Sequence, residues 1–343
     1  MNSNAARWFL GRSVVMSVAF CVLGSGSALA GQKFTTFDPK QSGGTVPLSM
    51  NDDGEIVGIY YNLNDPDAFL GFVRSAKGDI KTINGRRKDK GSGLPPHNTS
   101  ASSINASGVV VGYYQKPKTH GFSRAADGTV TTVNVDHAQS TECIAINASG
   151  AIVGAYFTKY VWHGYELSDG TYTAFDPPES VSTWPVGINS SGVVAGDYSD
   201  DHGVWHGFVR SSSGAITTFD PAGSIGTAVV GINNQNAITG SYEDSKSVPH
   251  GFLRTADGTV TAFDPAGSAA TNPQSINVNG DITGYYEDSK GIVHGFKRAA
   301  DGTITSFDAP GADGTFPASI NDSGDIAGSY RIDYVQHGFL LTR

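Results

Sequence analysis

Hydrophobic and polar residues follow one short pattern along most of this chain. Runs of four to six residues rich in Val, Ile, Thr, Phe and Tyr recur between clusters of Gly, Asn and Asp. Runs of this length and make-up predict β-strands, and the residues bounding them predict tight turns. No stretch after residue 30 sustains a helical period. The pattern comes in fours, A to D. In one clear instance A is the six residues before Asn277, B is Asp281–Tyr286, C is Val293–Arg298 and D is Thr303–Asp308.

This unit of about 44 residues recurs seven times. An apolar-Asn step marks each copy: Met50-Asn51, Ile104-Asn105, Ile146-Asn147, Ile188-Asn189, Ile232-Asn233, Ile276-Asn277 and Ile320-Asn321. Six copies carry His-Gly-aromatic, beginning at His120, His163, His206, His250, His294 and His337; Leu70 takes that place in the first. Phe-Asp-Pro ends most units, with Asn84 and Asn134 replacing Asp in two. The chain finishes on a strand C with no D. Its residues 33–39 read as a strand D with no A, B or C before it. The two fragments complete one unit. The expectation is an all-β, seven-bladed β-propeller of four-stranded blades, its ring closed by the N-terminal strand D pairing with the C-terminal strands A to C. Closure of this kind leaves only short, protected strand edges.

Residues present in every copy are read as structural. Asn opens each A–B turn and Gly closes it; Asn236, which also tolerates positive φ, replaces that Gly once. Strand B carries Gly and, two residues on, Tyr in all seven copies, from Gly58 and Tyr60 to Gly328 and Tyr330. The expectation is Tyr packing across blades, with Gly making room for neighbouring backbone. The histidines are expected to tie each blade together, the Phe-Asp-Pro aspartates to close Asx turns, and the strand-C arginines to pair locally. No copy adds a second His or Cys at metal-ligand spacing, so no metal and no cofactor is expected.

Residues 1–30 have the form of a secretory signal, with Arg7 and Arg12, an apolar Ser13–Leu23 and the small-residue site Ala28-Leu29-Ala30. Residues 31–343 then form a single propeller domain in a secreted or periplasmic protein, with no membrane insertion after cleavage. Without the two arginines the chain has 21 basic and 32 acidic residues, a net −11. That argues against nucleic acid, whose binding rests on phosphate neutralisation. Cys143 is then the sole cysteine, so no intramolecular disulfide forms. A monomer is expected.

Function in a repeat protein should sit where the copies diverge. The A–B and C–D turns are nearly uniform, whereas the B–C and D–A loops vary, and the two variable sets share one face. That face carries an inserted loop, Gly85–Pro96, with Arg86 and Arg87, and every tryptophan beyond residue 30: Trp162, Trp184 and Trp205. With Tyr160 these are the candidate ligand-binding residues, as a stacking surface for sugar rings or an aromatic anchor for a protein.

The unit Ile-Asn-x-x-Gly-x-Ile-x-Gly-x-Tyr followed by His-Gly-Phe resembles the bacterial extracellular HAF repeats, over about residues 33–343. The resemblance implies a secreted or envelope propeller and brings no catalytic residue. The leading reading is a binding or scaffold module for a glycan or cell-envelope partner. One alternative is a polysaccharide or antibiotic lyase at the central channel mouth. For it, Asp136-His137 and Glu142-Cys143 are the best departures from the repeat, with Cys143 as a candidate nucleophile needing a base. The other alternative is a purely structural surface repeat.

Overall fold

The alternating strand pattern resolves into 28 strands in a computed structural model that describes residues 32–63, 65–83 and 98–343. The expected signal over residues 1–30 and the inserted loop with Arg86 and Arg87 lie outside the described residues. In the fifth copy, A is Gly226–Ile232, B is Ile238–Glu243, C is Pro249–Arg254 and D is Val260–Phe263. They pair antiparallel in that order. The molecule is a β-propeller built on such quartets.

The expectation of a seven-bladed propeller is corrected. Five blades stand alone as four-stranded sheets, and the remaining strands form one eight-stranded sheet. The join is a parallel contact of Val293 with Gly314. Ile304–Phe307 pairs only with Gly295 to Arg298, as the short last strands of four other quartets do with theirs. The start of strand C is left uncovered, and in the sixth copy the next backbone, at Gly314, meets that edge. At the two ends of the chain, Lys33–Phe37 pairs antiparallel with Val335–Thr342, from Lys33 opposite Thr342 to Phe37 opposite Gly338.

The core lies between quartets rather than within them. Phe175, at the end of the third copy, packs with Ile188, Val194, Tyr198 and Phe208 of the fourth. The Phe175 and Phe208 rings meet edge to face at 6.0 Å. Arg210 covers the other side, its guanidinium 4.9 Å from the Phe175 centroid. The same arrangement recurs at Phe37, Phe72 and Arg74, and at Phe219, Phe252 and Arg254. The arginines therefore bind aromatic faces across copies, in addition to local backbone bonds. Each buried aromatic contributes roughly 1.5–3 kcal/mol.

Strand-B tyrosines pack across quartets as expected, Tyr198 against Phe175 and Tyr286 against Phe263 of the preceding copies. Six of the seven also lie against the histidine of their own quartet, as Tyr156 does on His163 at 5.1 Å and Tyr286 on His294 at 5.1 Å. The invariant strand-B glycine answers to its own blade too. A Cβ on Gly112 would lie 1.9 Å from the Ser100 carbonyl oxygen. That carbonyl is driven inward by a β-bulge between Ala101 and Ser103. Every strand A has this bulge at the equivalent place, so every strand B needs glycine opposite it.

The Phe-Asp-Pro aspartates bridge copies instead of merely closing turns. His206 Nδ1 donates to Asp220 Oδ2 at 2.7 Å, and Thr227 Oγ1 donates to Asp220 Oδ1 at 2.6 Å. The same His–Asp–Thr chain joins His163, Asp176 and Thr183, and also His250, Asp264 and Thr271. It closes the molecule through His337, Asp38 and Thr45. A carboxylate only accepts, so Nδ1 carries the proton in each. In the second copy Asn134 Oδ1 takes the acceptor role toward His120 at 3.1 Å.

Candidate functional site

Strand A of each copy faces the central axis, and the axis opens into a cavity at either end. At the turn end the lining is polar. The invariant Asn of each copy accepts backbone N–H groups of its own turn through Oδ1, as Asn189 does from Ser191 and Val193 at 3.0 Å. Its amide then crosses to the next copy: Asn189 Nδ2 donates to the Asn233 carbonyl at 3.1 Å. Six such steps run unbroken from Asn51 to Asn321. This belt surrounds a cavity of about 280 Å³. Sequence reasoning saw the turn role of these residues and missed the belt, because the partner carbonyl lies a whole repeat away.

The other end, toward the B–C and D–A loops, is built from residues that differ between copies. The bulged residues of six of the seven strands A line it: Leu48, Ser102, Ile144, Val186, Val230 and Gln274 surround a cavity of about 360 Å³. A bulge re-aims a side chain that regular pleating would turn aside. Trp184, Asp197, Trp205 and the Thr227–Val229 segment complete the wall. Trp184 and Asp197 are cross-strand partners, so they share a face of the fourth blade. Asp197 Oδ2 accepts the backbone N–H of Val229 at 3.1 Å, which anchors the carboxylate across to the fifth blade. Asp197 is the single charged residue of this wall among the described residues.

Trp184 and Trp205, both named from sequence, thus meet at one cavity. Trp162 stands behind them, edge to face with Trp184 at 5.1 Å and 5.2 Å from Phe157. Tyr160 is apart, at the tip of a two-residue turn with Lys159; both have positive φ, and Tyr160 is 91% exposed. Arg86 and Arg87 lie outside the described residues. Asp197 and the bulge residues were missed. Their signal was present: the residue after the strand-B glycine reads Ile59, Tyr113, Ala155, Asp197, Ser241, Tyr285 and Ser329, a different mixture in a constant frame.

The residues singled out for a lyase are distributed differently. Cys143 is fully buried, 3.3 Å from the Tyr165 hydroxyl. Burial pushes its thiol up to about 12, against the smaller opposing effect of the Tyr165 bond. A nucleophilic cysteine needs the thiolate, which this setting disfavours. Asp136 and His137 line a different cleft of about 260 Å³ beside His120. Glu142, on the same register position as Trp184, is pushed up to about 7 by burial. The adjacent Tyr113 is pushed up to about 12, first by burial and then by Glu142. Asp200, Asp201 and His202 bring ligand atoms close together at an exposed B–C loop. Asp200 Oδ1 there accepts the N–H groups of His202 and Val204, which is turn chemistry.

No protein-family model and no curated protein sequence matches the chain. Solved structures do. A catalytically inactive virginiamycin B lyase of Staphylococcus aureus, solved with quinupristin, superposes with a TM-score of 0.60 at 15% identity, covering 91% of this chain and 99% of the other. The β-propeller domain of the trilobed protease of Pyrococcus furiosus gives 0.60 at 9% identity, covering 89% and 94%. TolB of Acinetobacter baumannii gives 0.51 at 13% identity, covering 76% and 65%. At these identities the likeness is one of fold. It places the chain among β-propellers, a class that hosts both binding modules and enzymes.

Proposed function

We propose that this protein is a binding propeller that takes a carbohydrate at the loop-end cavity of its axis. The observation that carries the reading is the meeting of Trp184, Trp205 and Asp197 around about 360 Å³ of space. That volume falls in the range of small-molecule sites, about 300–1,000 Å³. Indole faces stack on the C–H faces of sugar rings, and one anchored carboxylate fixes a hydroxyl. The lyase alternative needs an acid and a base together; Asp197 is the one such group lining the cavity among the described residues. The resemblance to HAF repeats and the form of residues 1–30 support a place in the envelope or outside the cell. Among the described residues no helix is long and apolar enough to cross a membrane.

A glycan array probed with the purified protein and with Trp205→Ala tests this. Selective binding that is lost in a variant with an unchanged melting temperature is the expected result. Absence of binding across the array overturns the reading in favour of a protein partner or a structural role.

A further inference from the structure

The B–C turn of the fourth copy gathers four metal-ligating side chains. Asp200, Asp201 and His202 lie on the turn, and His206 stands four residues further on, in strand Trp205–Arg210. Asp200 Oδ1 is committed to the turn, accepting the N–H groups of His202 and Val204. Its Oδ2 faces both histidines, 3.6 Å from His202 Nδ1 and 3.5 Å from His206 Nε2. Asp201 Oδ1 lies 2.7 Å from His202 Nδ1. One ligand atom each of Asp200, Asp201 and His202 therefore falls within 4.8 Å of the others.

The state of His206 calls for a cation at this place. Its Nδ1 donates to Asp220 Oδ2 at 2.7 Å. A neutral imidazole carries one proton, so Nε2 is left with its lone pair. That lone pair meets a carboxylate oxygen at 3.5 Å, acceptor against acceptor. A carboxylate on the far nitrogen is also what orients a metal-binding histidine and raises its basicity. The separations of 3.5 and 3.6 Å match the edge of a tetrahedral zinc site, about 3.3–3.6 Å for zinc bonds of about 2.0–2.2 Å.

The repeat supplies its own control. In the fifth and sixth copies His250 and His294 face Asp244 and Asp288 in the same way, each at 3.7 Å. The next two turn positions there read Ser245-Lys246 and Ser289-Lys290. Those turns pair two donors with a fixed positive charge. The fourth turn replaces the lysine with His202 and the serine with Asp201, which makes four donors and removes the charge.

We infer that the fourth B–C turn binds a divalent ion of the zinc class, with Asp200 Oδ2, Asp201 Oδ1, His202 Nδ1 and His206 Nε2 as its ligands. Two imidazoles and two carboxylates suit zinc, whereas calcium and magnesium take oxygen. The inference stands apart from the carbohydrate reading, since none of these four residues lines the loop-end cavity.

Isothermal titration of the protein, free of tag histidines, with zinc chloride tests this. The expected result is one bound equivalent that calcium and magnesium do not displace. Asp201→Ser and His202→Lys each install the residue of the fifth and sixth copies on an exposed turn, so melting temperatures in EDTA should not change. Zinc affinity should fall about tenfold or more in each variant. Cobalt in place of zinc should give the strong visible absorption of four-coordinate geometry. A weak six-coordinate spectrum overturns the four-ligand assignment. Zinc affinity unchanged in both variants overturns the site. Absence of zinc binding to the parent protein overturns it as well, and makes a proton on Nε2 the cation between His206 and Asp200.

Discussion

His337 and Asp38, 299 residues apart in sequence, are joined by a 2.8 Å bond from the imidazole Nδ1 to the carboxylate. Thr45 donates to the other oxygen of the same carboxylate. The chain's two ends are thus held by the device that joins neighbouring copies elsewhere in the ring. Asp38→Ala should remove both bonds and lower stability by about 2–3 kcal/mol, since bonds to charged groups contribute roughly 1.5–3 each and act here as one network. Deleting residues 32–39 should cost much more, because the five-residue pairing with Val335–Thr342 goes as well. Urea unfolding midpoints of the two variants measure this. An unchanged midpoint on deletion would mean that the ends do not hold the ring together.

The asparagine belt predicts an effect unlike that of an ordinary turn residue. Asn189→Ala loses the bond to the Asn233 carbonyl and orphans the N–H groups of Ser191 and Val193. A cost of about 2–4 kcal/mol is expected. Asn189→Asp keeps the turn acceptor but sets a carboxylate oxygen against the Asn233 carbonyl and Asn236 Oδ1 at a buried position, so it should cost at least as much as Ala. A smaller cost for Asp than for Ala would show that the turn bonds outweigh the inter-copy donor.

Gly112→Ala should be among the worst small substitutions. Its Cβ would sit 1.9 Å from the Ser100 carbonyl and 3.1 Å from the Phe122 ring, and both are fixed by the sheet. A loss above about 3 kcal/mol, or no soluble protein, is expected. Gly150→Ala is the contrast, with open space around its Cβ and strain only from a φ of 91°. Thermal melts of both variants compare steric clash with backbone strain.

Glu142 predicts a pH dependence. Burial raises its folded pKa to about 7 from an ordinary 4.5, so the folded state holds a proton that the unfolded state has released. Its unfavourable contribution is absent below about pH 4 and grows as pH rises toward about 7. Glu142→Gln should therefore match the parent near pH 4. At pH 8 it should be more stable by an amount on the order of 1–3 kcal/mol. Chemical denaturation across that range gives the slope directly; parallel curves would mean that the carboxyl titrates normally.

Strand periodicity, turn chemistry and the repeat are legible along the chain because they are local. Val293–Arg298 reads as a strand from its own residues, and the Asn-to-Gly turns need only four. The pairing of the two ends was also legible, since the fragments are complementary pieces of one pattern. The concentration of tryptophan in two adjacent copies pointed toward the loop end. Beyond that, contacts between copies decided the outcome. The Val293–Gly314 join that merges two quartets depends on which backbone comes to rest beside an uncovered edge. The arginine caps on Phe37 and Phe175, and the asparagine belt, pair residues of different copies. Asp197 and Trp184 become a site only when a bulged strand and its neighbour bring them to one axis. A sequence specifies each strand through its own dihedral and packing preferences; which side chains share a cavity follows from how the repeated units pack on one another, and that is a property of the assembled fold.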